Sequence, residues 1–278
     1  MSEIERTFES LRAAKDGAFI GYVCAGDPDV DFTVDQVIRL SDAGADIIEL
    51  GHPFSDPVAD GPVIQAAMKR SLDHGFRTRD LFNCIRSIRE AGVRKPVVAM
   101  TYYNPVFQSG PADYCKELAS AGADGLLVVD LPPEESGEID SHARGCGLDL
   151  IRLVTPTTND LRMAMILSGA SGFVYVVSAA GTTGARAKLP PSAPPLLKRT
   201  KAMTRLPVAL GFGISTPAQV AAALSLGASG VVEGSGLIAA YSNLLSDRSI
   251  ALDSVGDHAR QMKQATVGAL VDAPSAQL

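Results

Sequence analysis

A carboxylate stands inside an aliphatic segment near the start of the chain. The stretch from Ile47 to Gly61 begins as an apolar run that carries Glu49 and then breaks through Gly and Pro into a loop. Such a run is typical of a buried parallel strand, where an ionised side chain costs several kcal/mol unless it lies near an opening with a partner. Glu49 is therefore expected either to pair with an arginine of a neighbouring strand, such as Arg152, or to act as a catalytic acid or base.

Two further carboxylates, Asp56 and Asp60, lie in the loop that follows. An aspartate before proline commonly forms a turn, so Asp56 is interpreted as structural. Asp60 precedes Gly61-Pro62, which marks a helix start, and it is either a cap of that helix or a proton partner for a ligand. The histidines show no paired spacing, so no metal site is predicted. They are His52, His74, His142 and His258.

Two glycine-rich segments offer a different chemistry. Gly211-Phe212-Gly213-Ile214-Ser215 and Gly234-Ser235-Gly236 each follow an aliphatic run and precede a predicted helix. Backbone N–H groups at a helix N-terminus favour an anion, because the amides are unpaired and the helix dipole is positive there. Together the two segments predict a phosphate site. A third segment, Gly181-Thr182-Thr183-Gly184, can close over the same ligand.

A short sequence motif that recurs four times marks the elements that must position these residues. In each copy a helix-like segment ends near a Gly, and an aliphatic run begins three residues after that Gly. A glycine that ends a helix with φ > 0 before a buried parallel strand is typical of the helix-to-strand joint of a barrel. The copies lie at 43–46, 121–124, 168–171 and 226–229.

Eight aliphatic runs alternate with helical segments, and none is set up as a hairpin with the next. This order predicts an α/β fold, a (β/α)₈ TIM barrel, with a doubly wound open sheet as the alternative. Extra helices at 1–15 and 252–271 are expected outside the barrel, and residues 272–278 are expected to form a disordered tail. The strands are predicted at 18–23, 47–50, 96–102, 125–130, 148–154, 172–178, 206–210 and 230–233.

Several connections carry signals of their own. The helix predicted at 63–91 is expected to break near His74-Gly75, and the third strand to close in a turn at Asn104-Pro105. Pro132-Pro133 is expected to start the next helix. The loop at 179–189 is long and rich in small residues, so we expect it to be functional and mobile without ligand.

The ends of the barrel strands supply the remaining candidates, because barrel active sites lie at the C-terminal ends of the strands. Each of these side chains is either ordinary core packing or the wall of an apolar pocket. They are Tyr22, Met100, Leu127, Val129, Leu153, Tyr175 and Phe212.

Composition narrows the class of protein. The 278 residues are 46% hydrophobic, which is enough for one large core, so a single domain spanning 1–278 is predicted. The net charge is −6 and the Lys and Arg residues are scattered, so the sequence shows no basic patch that would bind nucleic acid or an anionic membrane. The N-terminus lacks the apolar core of a signal peptide, and no apolar run approaches about 18 residues, so a cytoplasmic location is expected. The four widely separated cysteines are interpreted as reduced thiols.

The chain resembles the α subunit of tryptophan synthase. The resemblance rests on Ile47 to Gly61, includes Asn104-Pro105 and the three glycine-containing segments, and covers the chain to about Val271. It implies retro-aldol cleavage of indole-3-glycerol phosphate to indole and glyceraldehyde 3-phosphate. Indole would then pass to a β subunit in an α2β2 assembly. Pyridoxal phosphate belongs to that β partner, so the resemblance implies no cofactor in this chain.

The resemblance also implies roles for the candidate residues. Glu49 matches the general acid/base that protonates indole C3 and assists removal of the glycerol hydroxyl proton. Asp60 matches the carboxylate that bonds the indole N–H and stabilises the positive charge developing on the ring. Tyr175 and its apolar neighbours would hold the indole, Thr183 belongs to the mobile loop, and the loops after strands 2 and 6 with Asn104-Pro105 match the partner-facing region. The phosphate-binding positions are Gly184, Gly213, Gly234 and Ser235.

Some residues depart from the commonest family pattern. Tyr22 stands where Phe is frequent, His52 replaces an aliphatic residue, and Glu233 precedes the last phosphate segment. Tyr22 is expected to affect indole packing, and His52 is expected to affect partner contacts. The Pro-rich segment at 190–195 is unusually rigid for the entry to a helix. None of these departures removes a residue assigned to the chemistry.

Three other functions remain open at this stage. One is a phosphosugar isomerase on the same barrel, which the pairing of Glu49 with Asp60 in one strand-loop unit argues against. The second is a weakly active subunit that mainly regulates a β partner. The third is a free-standing lyase that releases indole as its final product.

Overall fold

The computed structural model describes residues 1–177, 189–211 and 213–270. These residues form parallel strands that are covered by helices. The strands are β1 (Ala18–Cys24), β2 (Ile47–Gly51), β3 (Val97–Thr101), β4 (Gly125–Val128), β5 (Asp149–Leu150), β6 (Arg152–Val154), β7 (Val174–Val177), β8 (Val208–Gly211) and β9 (Gly230–Glu233). The helices are α1 (Glu3–Ala14), α2 (Val30–Asp42), α3 (Pro62–Asp73), α4 (Thr78–Glu90), α5 (Tyr103–Ser109), α6 (Pro111–Ala121), α7 (Gly137–Gly145), α8 (Asp160–Ser168), α9 (Ala193–Met203), α10 (Pro217–Ser225), α11 (Ser235–Ser242) and α12 (Arg248–Gln264).

The strands form one sheet that closes on itself. Their order is β5-β4-β3-β2-β1-β9-β8-β7-β6, and all the pairings are parallel. The two edges, β5 and β6, are separated by Ile151 alone, whose N–H donates to Leu126 at 3.0 Å. The edges therefore belong to one interrupted strand, and the predicted strand at 148–154 is divided in two. The predicted (β/α)₈ barrel is confirmed.

Local sequence explains where many helices begin. Five of the described helices have a polar N-cap whose side chain accepts an N–H of the first turn, which satisfies an otherwise unpaired amide. These caps are Ser2, Asp29, Asn159, Thr216 and Asp247. The helix predicted at 63–91 is interrupted as expected, because α3 ends before His74 and Gly75 adopts a φ of +85°.

Three predictions about connections were wrong. Asn104-Pro105 is not a turn but lies in the first turn of α5, where proline is tolerated because its missing N–H would have no partner there. Pro133 starts a short 3₁₀ turn at Pro133–Glu135, and α7 begins only at Gly137. The last helix is α12, which begins after the Asp247 cap rather than at 252. Residues 272–278 lie outside the described part of the chain.

The recurring joints end in a reciprocal hydrogen bond. The side chain of the last residue in each motif accepts a hydrogen bond from the backbone N–H of one residue in another strand. The backbone N–H of the motif residue donates in return to the carbonyl of that strand residue. Asp46, for example, accepts from Phe19 at 2.8 Å and donates back at 2.9 Å. The four pairs are Asp46 with Phe19, Asp124 with Val97, Ser171 with Leu150, and Ser229 with Val208. At the N-terminal end of the barrel, the joints therefore link β1 to β2, β3 to β4, β5 to β7 and β8 to β9 by hydrogen bonds.

The glycines of these joints follow the expected conformation with one exception. Gly44, Gly122 and Gly227 adopt φ between +92° and +101°, which requires glycine. Gly169 does not, since its φ is −93°, and the positive φ occurs instead at Gly172. The prediction for the third joint was therefore displaced by three residues.

The N-terminal helix closes the lower end of the barrel. Ile4 and Phe8 are buried on the inner face of α1, and the Phe8 ring lies 5.7 Å from the ring of Phe173, just before β7. These two side chains therefore cover the core of the barrel at this end. No helix in the described ranges is both long and apolar enough to cross a bilayer.

Candidate active site

One small cavity at the C-terminal ends of the strands gathers most of the predicted site residues. The register of β1 and β2 places Tyr22 beside Glu49, and Asp60 reaches the same cavity from the loop before α3. Its volume of about 30 Å³ is the space of a single water molecule. The lining residues are Tyr22, Glu49, Asp60, Ile64, Met100, Tyr175, Gly213, Ile214, Val232, Gly234 and Ser235.

Two tyrosines reach the cavity because the next strand ends in glycine. The Tyr22 ring lies directly over Gly51 of β2, and the Tyr175 ring lies over Gly211 of β8. A Cβ atom at either glycine would overlap the tyrosine ring. The two strand-end glycines therefore create the space for the two aromatic walls.

Glu49 has no cationic partner among the described residues. Arg152, the arginine considered for it, forms a buried ion pair with Asp140. Glu49 is 2% exposed, and its Oε2 has no hydrogen-bond partner in the described ranges. The ion-pair alternative with Arg152 is therefore wrong.

Asp60 is oriented by a tyrosine that the sequence did not single out. The Tyr102 hydroxyl donates to Asp60 Oδ2 at 2.6 Å and accepts from the Ala59 N–H at 3.0 Å. The N-cap of α3 is Gly61, so Asp60 does not occupy the cap position. Tyr102 follows Met100 by two residues, so strand alternation could have placed it on the inner face.

Burial separates the protonation states of the two carboxyl groups. Loss of solvent, with a smaller contribution from the charge of Asp60, raises the pKa of Glu49 to about 8. Burial also raises the pKa of Asp60 to about 6, although the hydrogen bond from Tyr102 opposes the rise. Near neutral pH the cavity thus holds a protonated Glu49 next to an ionised Asp60. This pair can donate a proton at one point and stabilise positive charge at another.

The opposite wall of the cavity is built from backbone. Gly213 has a φ of +91°, and its carbonyl accepts from Gln219 Nε2 at 2.8 Å. Gly234 is the N-cap of α11 and Ser235 its first residue, so the first-turn amides face this wall. Among the described residues, the lining contains no Lys or Arg. The described part of this wall therefore offers an anion its amides and the helix dipole.

Some predicted residues are not part of this cavity. Leu127 on β4 pairs in register with Met100 on β3, and Leu153 on β6 pairs with Tyr175 on β7, so each leucine lies one strand away from the cavity wall. Val129 follows the end of β4. The cavity is too small to reach them. Thr183, Gly184, Phe212 and nearly all of the loop at 179–189 lie outside the described residues. The lining residues that the sequence did not suggest are Ile64 and Val232, and Ile214 belongs to the glycine-rich segment already predicted to bind phosphate.

His52 is a core residue. Its side chain is buried, with Nδ1 3.2 Å from the Tyr114 hydroxyl and 3.3 Å from Thr101 Oγ1. The ring also stacks on Tyr114 at 6.1 Å between centroids. Burial lowers the pKa of His52 to about 4, so the ring is neutral at physiological pH. The ring is therefore not at the surface, and the expectation that His52 affects partner contacts stays a prediction.

Comparison with known proteins identifies the family. A family model described as tryptophan synthase alpha chain matches residues 8–267. The chain is 45% identical over 267 residues to the tryptophan synthase alpha chain of Methanosarcina acetivorans, which covers 96% of this chain and 95% of that protein. The chain belongs to the tryptophan synthase alpha chain family.

Other members agree in sequence and in fold. The alpha chain of Roseiflexus castenholzii is 50% identical over 216 residues, 78% of this chain and 83% of that protein. The structure of Mycobacterium tuberculosis tryptophan synthase aligns with a TM-score of 0.88 at 36% identity, covering 96% of this chain and 98% of that one. The alpha chain of Legionella pneumophila aligns with a TM-score of 0.87 at 36% identity, covering 96% and 97%. The resemblance drawn from Ile47 to Gly61 is confirmed, and the isomerase alternative is set aside.

The pKa of Glu49 predicts a stability difference that depends on pH. The folded protein binds this proton with a pKa of about 8 against an ordinary value of 4.5, so between these values rising pH favours unfolding. Glu49→Gln removes this pH-dependent loss in the free energy of unfolding, which is on the order of a few kcal/mol. We expect its melting temperature to exceed that of the parent by several degrees at pH 9 and to match it near pH 5.

Differential scanning calorimetry at the two pH values measures this difference. Glu9→Gln is the matched control, because Glu9 lies exposed on α1 and the same charge is removed there. Equal melting temperatures for the Glu49 variant and the parent at pH 9 would contradict a buried, protonated Glu49.

Proposed function

We propose that this chain is the α subunit of tryptophan synthase, which cleaves indole-3-glycerol phosphate to indole and glyceraldehyde 3-phosphate. Family membership supports the reaction. The observation that carries the mechanism is the pair of buried carboxyl groups, Glu49 and Asp60, whose pKa values lie on either side of neutrality in one cavity.

Glu49 is the proton donor and acceptor of this mechanism. An aromatic carbon is a poor leaving group until it is protonated, so the Glu49 carboxylic acid delivers its proton to indole C3. The resulting carboxylate then takes the proton from the glycerol hydroxyl while the carbon–carbon bond to C3 breaks and the aldehyde forms. Glu49 ends protonated, as it began, and the ring recovers its electrons as indole.

Asp60 stabilises the intermediate. Protonation at C3 places positive charge on the ring nitrogen, and an ionised carboxylate that accepts the indole N–H lowers the free energy of that state. The hydrogen bond from Tyr102 favours the ionised form of Asp60 and fixes its orientation. We therefore assign Tyr102 to holding Asp60 in place.

The indole ring lies between the aromatic and apolar walls in this proposal. Tyr22, Met100 and Tyr175 form the near wall. A cavity of about 30 Å³ cannot hold an indole, so side chains must move when the substrate binds. Leu127, Val129, Leu153 and Phe212 complete the far wall once the cavity has opened.

The substrate phosphate lies at the backbone wall. Gly213, Gly234 and Ser235 provide amides around the N-terminus of α11, and this placement keeps the phosphate away from the two carboxyl groups. Gly184 and the Thr183 loop, outside the described residues, are proposed to close over it. We propose that residues 1–278 act as one domain.

The β subunit is the proposed partner, in an α2β2 assembly that supplies the pyridoxal phosphate. Exposed apolar side chains on connections at the C-terminal face support a docking surface there. Val58 lies in the loop after β2, Phe107 on α5 after β3, and Leu161 on α8 after β6, with exposures of 78%, 62% and 86%. Such side chains are typical of interfaces when they cluster at one end of a molecule. Both subunits are proposed to work in the cytoplasm.

Loss of the Glu49 proton is expected to stop catalysis. Glu49→Gln should lower kcat by roughly 10³-fold or more, and Asp60→Asn by about 100-fold, because each removes a charge or proton used only in the transition state. Indole formation from indole-3-glycerol phosphate measures both. The Glu49 variant should bind a non-cleavable indole phosphate analogue about as tightly as the parent does. Near-normal turnover by that variant would contradict the mechanism.

The two pKa values predict a bell-shaped pH dependence of kcat/KM. Activity should rise through about pH 6 as Asp60 ionises and fall above about pH 8 as Glu49 loses its proton. Because the groups interact, the two limbs report the pair. Residual activity of Asp60→Asn should keep the alkaline limb and lose the acidic one. A flat profile from pH 5 to 9 would contradict the assignment.

Substitution at the exposed surface tests the partner. Val58→Lys should weaken binding of the β subunit at least tenfold, since a charge replaces an apolar contact. Leu226→Lys is the matched control, because Leu226 is also exposed but lies at a joint at the opposite end of the barrel. Calorimetric titration with the β subunit measures the affinity.

Indole release by the chain alone and with the β subunit, at steady state, separates the remaining alternatives. A large rise on addition of the partner indicates a subunit that depends on it, and a high unchanged rate indicates a free-standing lyase. Equal β-subunit affinity for Val58→Lys and for the parent would count against this docking surface.

A further inference from the structure

Tyr22 has a buried hydroxyl group that the mechanism does not use. Its side chain is 2% exposed, and the hydroxyl has no hydrogen-bond partner within the three described ranges. The Cys24 thiol is close enough to affect the pKa of Tyr22, but a thiol is only a weak partner. An unpaired buried hydroxyl costs free energy that the Phe frequent at this position in the family avoids. The hydroxyl therefore calls for a functional reason.

Glu49 is the polar group that faces this hydroxyl. Tyr22 and Glu49 are paired in register on β1 and β2, and both side chains line the same cavity of about 30 Å³. Glu49 Oε2 also lacks a hydrogen-bond partner in the described part of the chain. Two unpaired oxygens thus border one space the size of a single water molecule.

The surroundings of Tyr22 make it a donor. Burial raises the pKa of the phenol well above its ordinary value, so the hydroxyl keeps its proton. Asp60 Oδ2 already accepts from Tyr102, whereas Glu49 offers an oxygen without a bond. The titratable groups that add smaller rises to the pKa of Tyr22 are Cys24, Asp60, Glu49 and Tyr241. Those that face Glu49 from other elements are Asp60 and Tyr175, and the Tyr175 phenol is kept protonated by burial as well.

We propose that Tyr22 is a positioning residue whose hydroxyl donates a hydrogen bond to the Glu49 carboxylate that forms when indole C3 is protonated. The bond holds this carboxylate in place until it takes the proton of the glycerol hydroxyl, while the carbon–carbon bond to C3 breaks. Tyr22 keeps its own proton throughout. Hydrogen bonds to charged groups are stronger than bonds to neutral ones, so this bond stabilises the intermediate more than the bound substrate. The inference rests on the lyase reaction of the proposed function.

Tyr22→Phe removes the hydroxyl and keeps the ring over Gly51. We expect kcat for indole-3-glycerol phosphate to fall about tenfold or more, because the lost bond acts after the substrate has bound. KM and the affinity for a non-cleavable indole phosphate analogue should stay near those of the parent. The alkaline limb of the pH profile should move up by about one pH unit, since the Glu49 carboxylate has lost a donor. Tyr114→Phe is the matched control and should change none of these values, because Tyr114 is also buried but lies on α6, outside the cavity.

Melting temperatures test the same bond without turnover. Between pH 5 and pH 9, Tyr22→Phe should lose about 2 °C more than the parent loses, because Glu49 in the variant holds its proton to a higher pH in the folded state. In the Glu49→Gln background, Tyr22→Phe should add no pH-dependent loss.

The outcomes distinguish this inference from the proposed function. If the parent does not cleave the substrate, the proposed function fails, and the catalytic role of Tyr22 fails with it. If the parent is active and Tyr22→Phe keeps the parental kcat, or loses kcat and analogue affinity equally with an unmoved alkaline limb, only the role of Tyr22 is overturned. An equal pH-dependent loss of melting temperature in Tyr22→Phe and the parent would also contradict the bond to Glu49.

Discussion

Desolvation of the Glu49 carboxyl group sets the protonation state of the cavity. A closed parallel barrel surrounds β2 on both sides with strands, so Glu49 is almost fully buried, and it has no cationic partner among the described residues. Its pKa rises to about 8, and the proton stays on the carboxyl group near neutral pH. Asp60 experiences the same burial but accepts a hydrogen bond from Tyr102, which leaves its pKa near 6. A single hydrogen bond thus helps to give two buried carboxyl groups different protonation states near neutral pH.

The two ends of the barrel handle polar groups in opposite ways. At the N-terminal end, the joint residues Asp46, Asp124, Ser171 and Ser229 each satisfy a strand N–H, and Lys263 and Arg89 compensate the two aspartates. At the C-terminal end, an oxygen of Glu49 lacks a hydrogen bond among the described residues. Unsatisfied buried groups cost free energy, so the stabilising bonds at one end offset the polar groups kept available at the other.

Residues behind the inner wall explain two of the three departures from the family pattern. His52 lies between β2 and the helices as a neutral ring against Tyr114. Glu233 lies on the outer side of β9 beside the segment predicted to bind phosphate, and its pairing with His258 makes a buried carboxylate tolerable there. Tyr22 remains in the inner wall, where Gly51 makes room for its ring.

Periodicity and turn chemistry in the sequence were sufficient for the barrel and for three of its four joints, because these depend on local alternation and on residues a few positions apart. They also marked Glu49 and Asp60 as candidates, but only the family resemblance gave these two carboxyl groups their expected roles. Local patterns could not show that Arg152 pairs with Asp140, that Tyr102 bonds Asp60, or that Leu127 and Leu153 lie outside the small cavity. Those contacts join residues from different strands and helices, and they exist only once the sheet has closed. The sequence determined which residues could do the chemistry; the tertiary structure decided their partners, because burial and charge environment are set by neighbours distant in the chain.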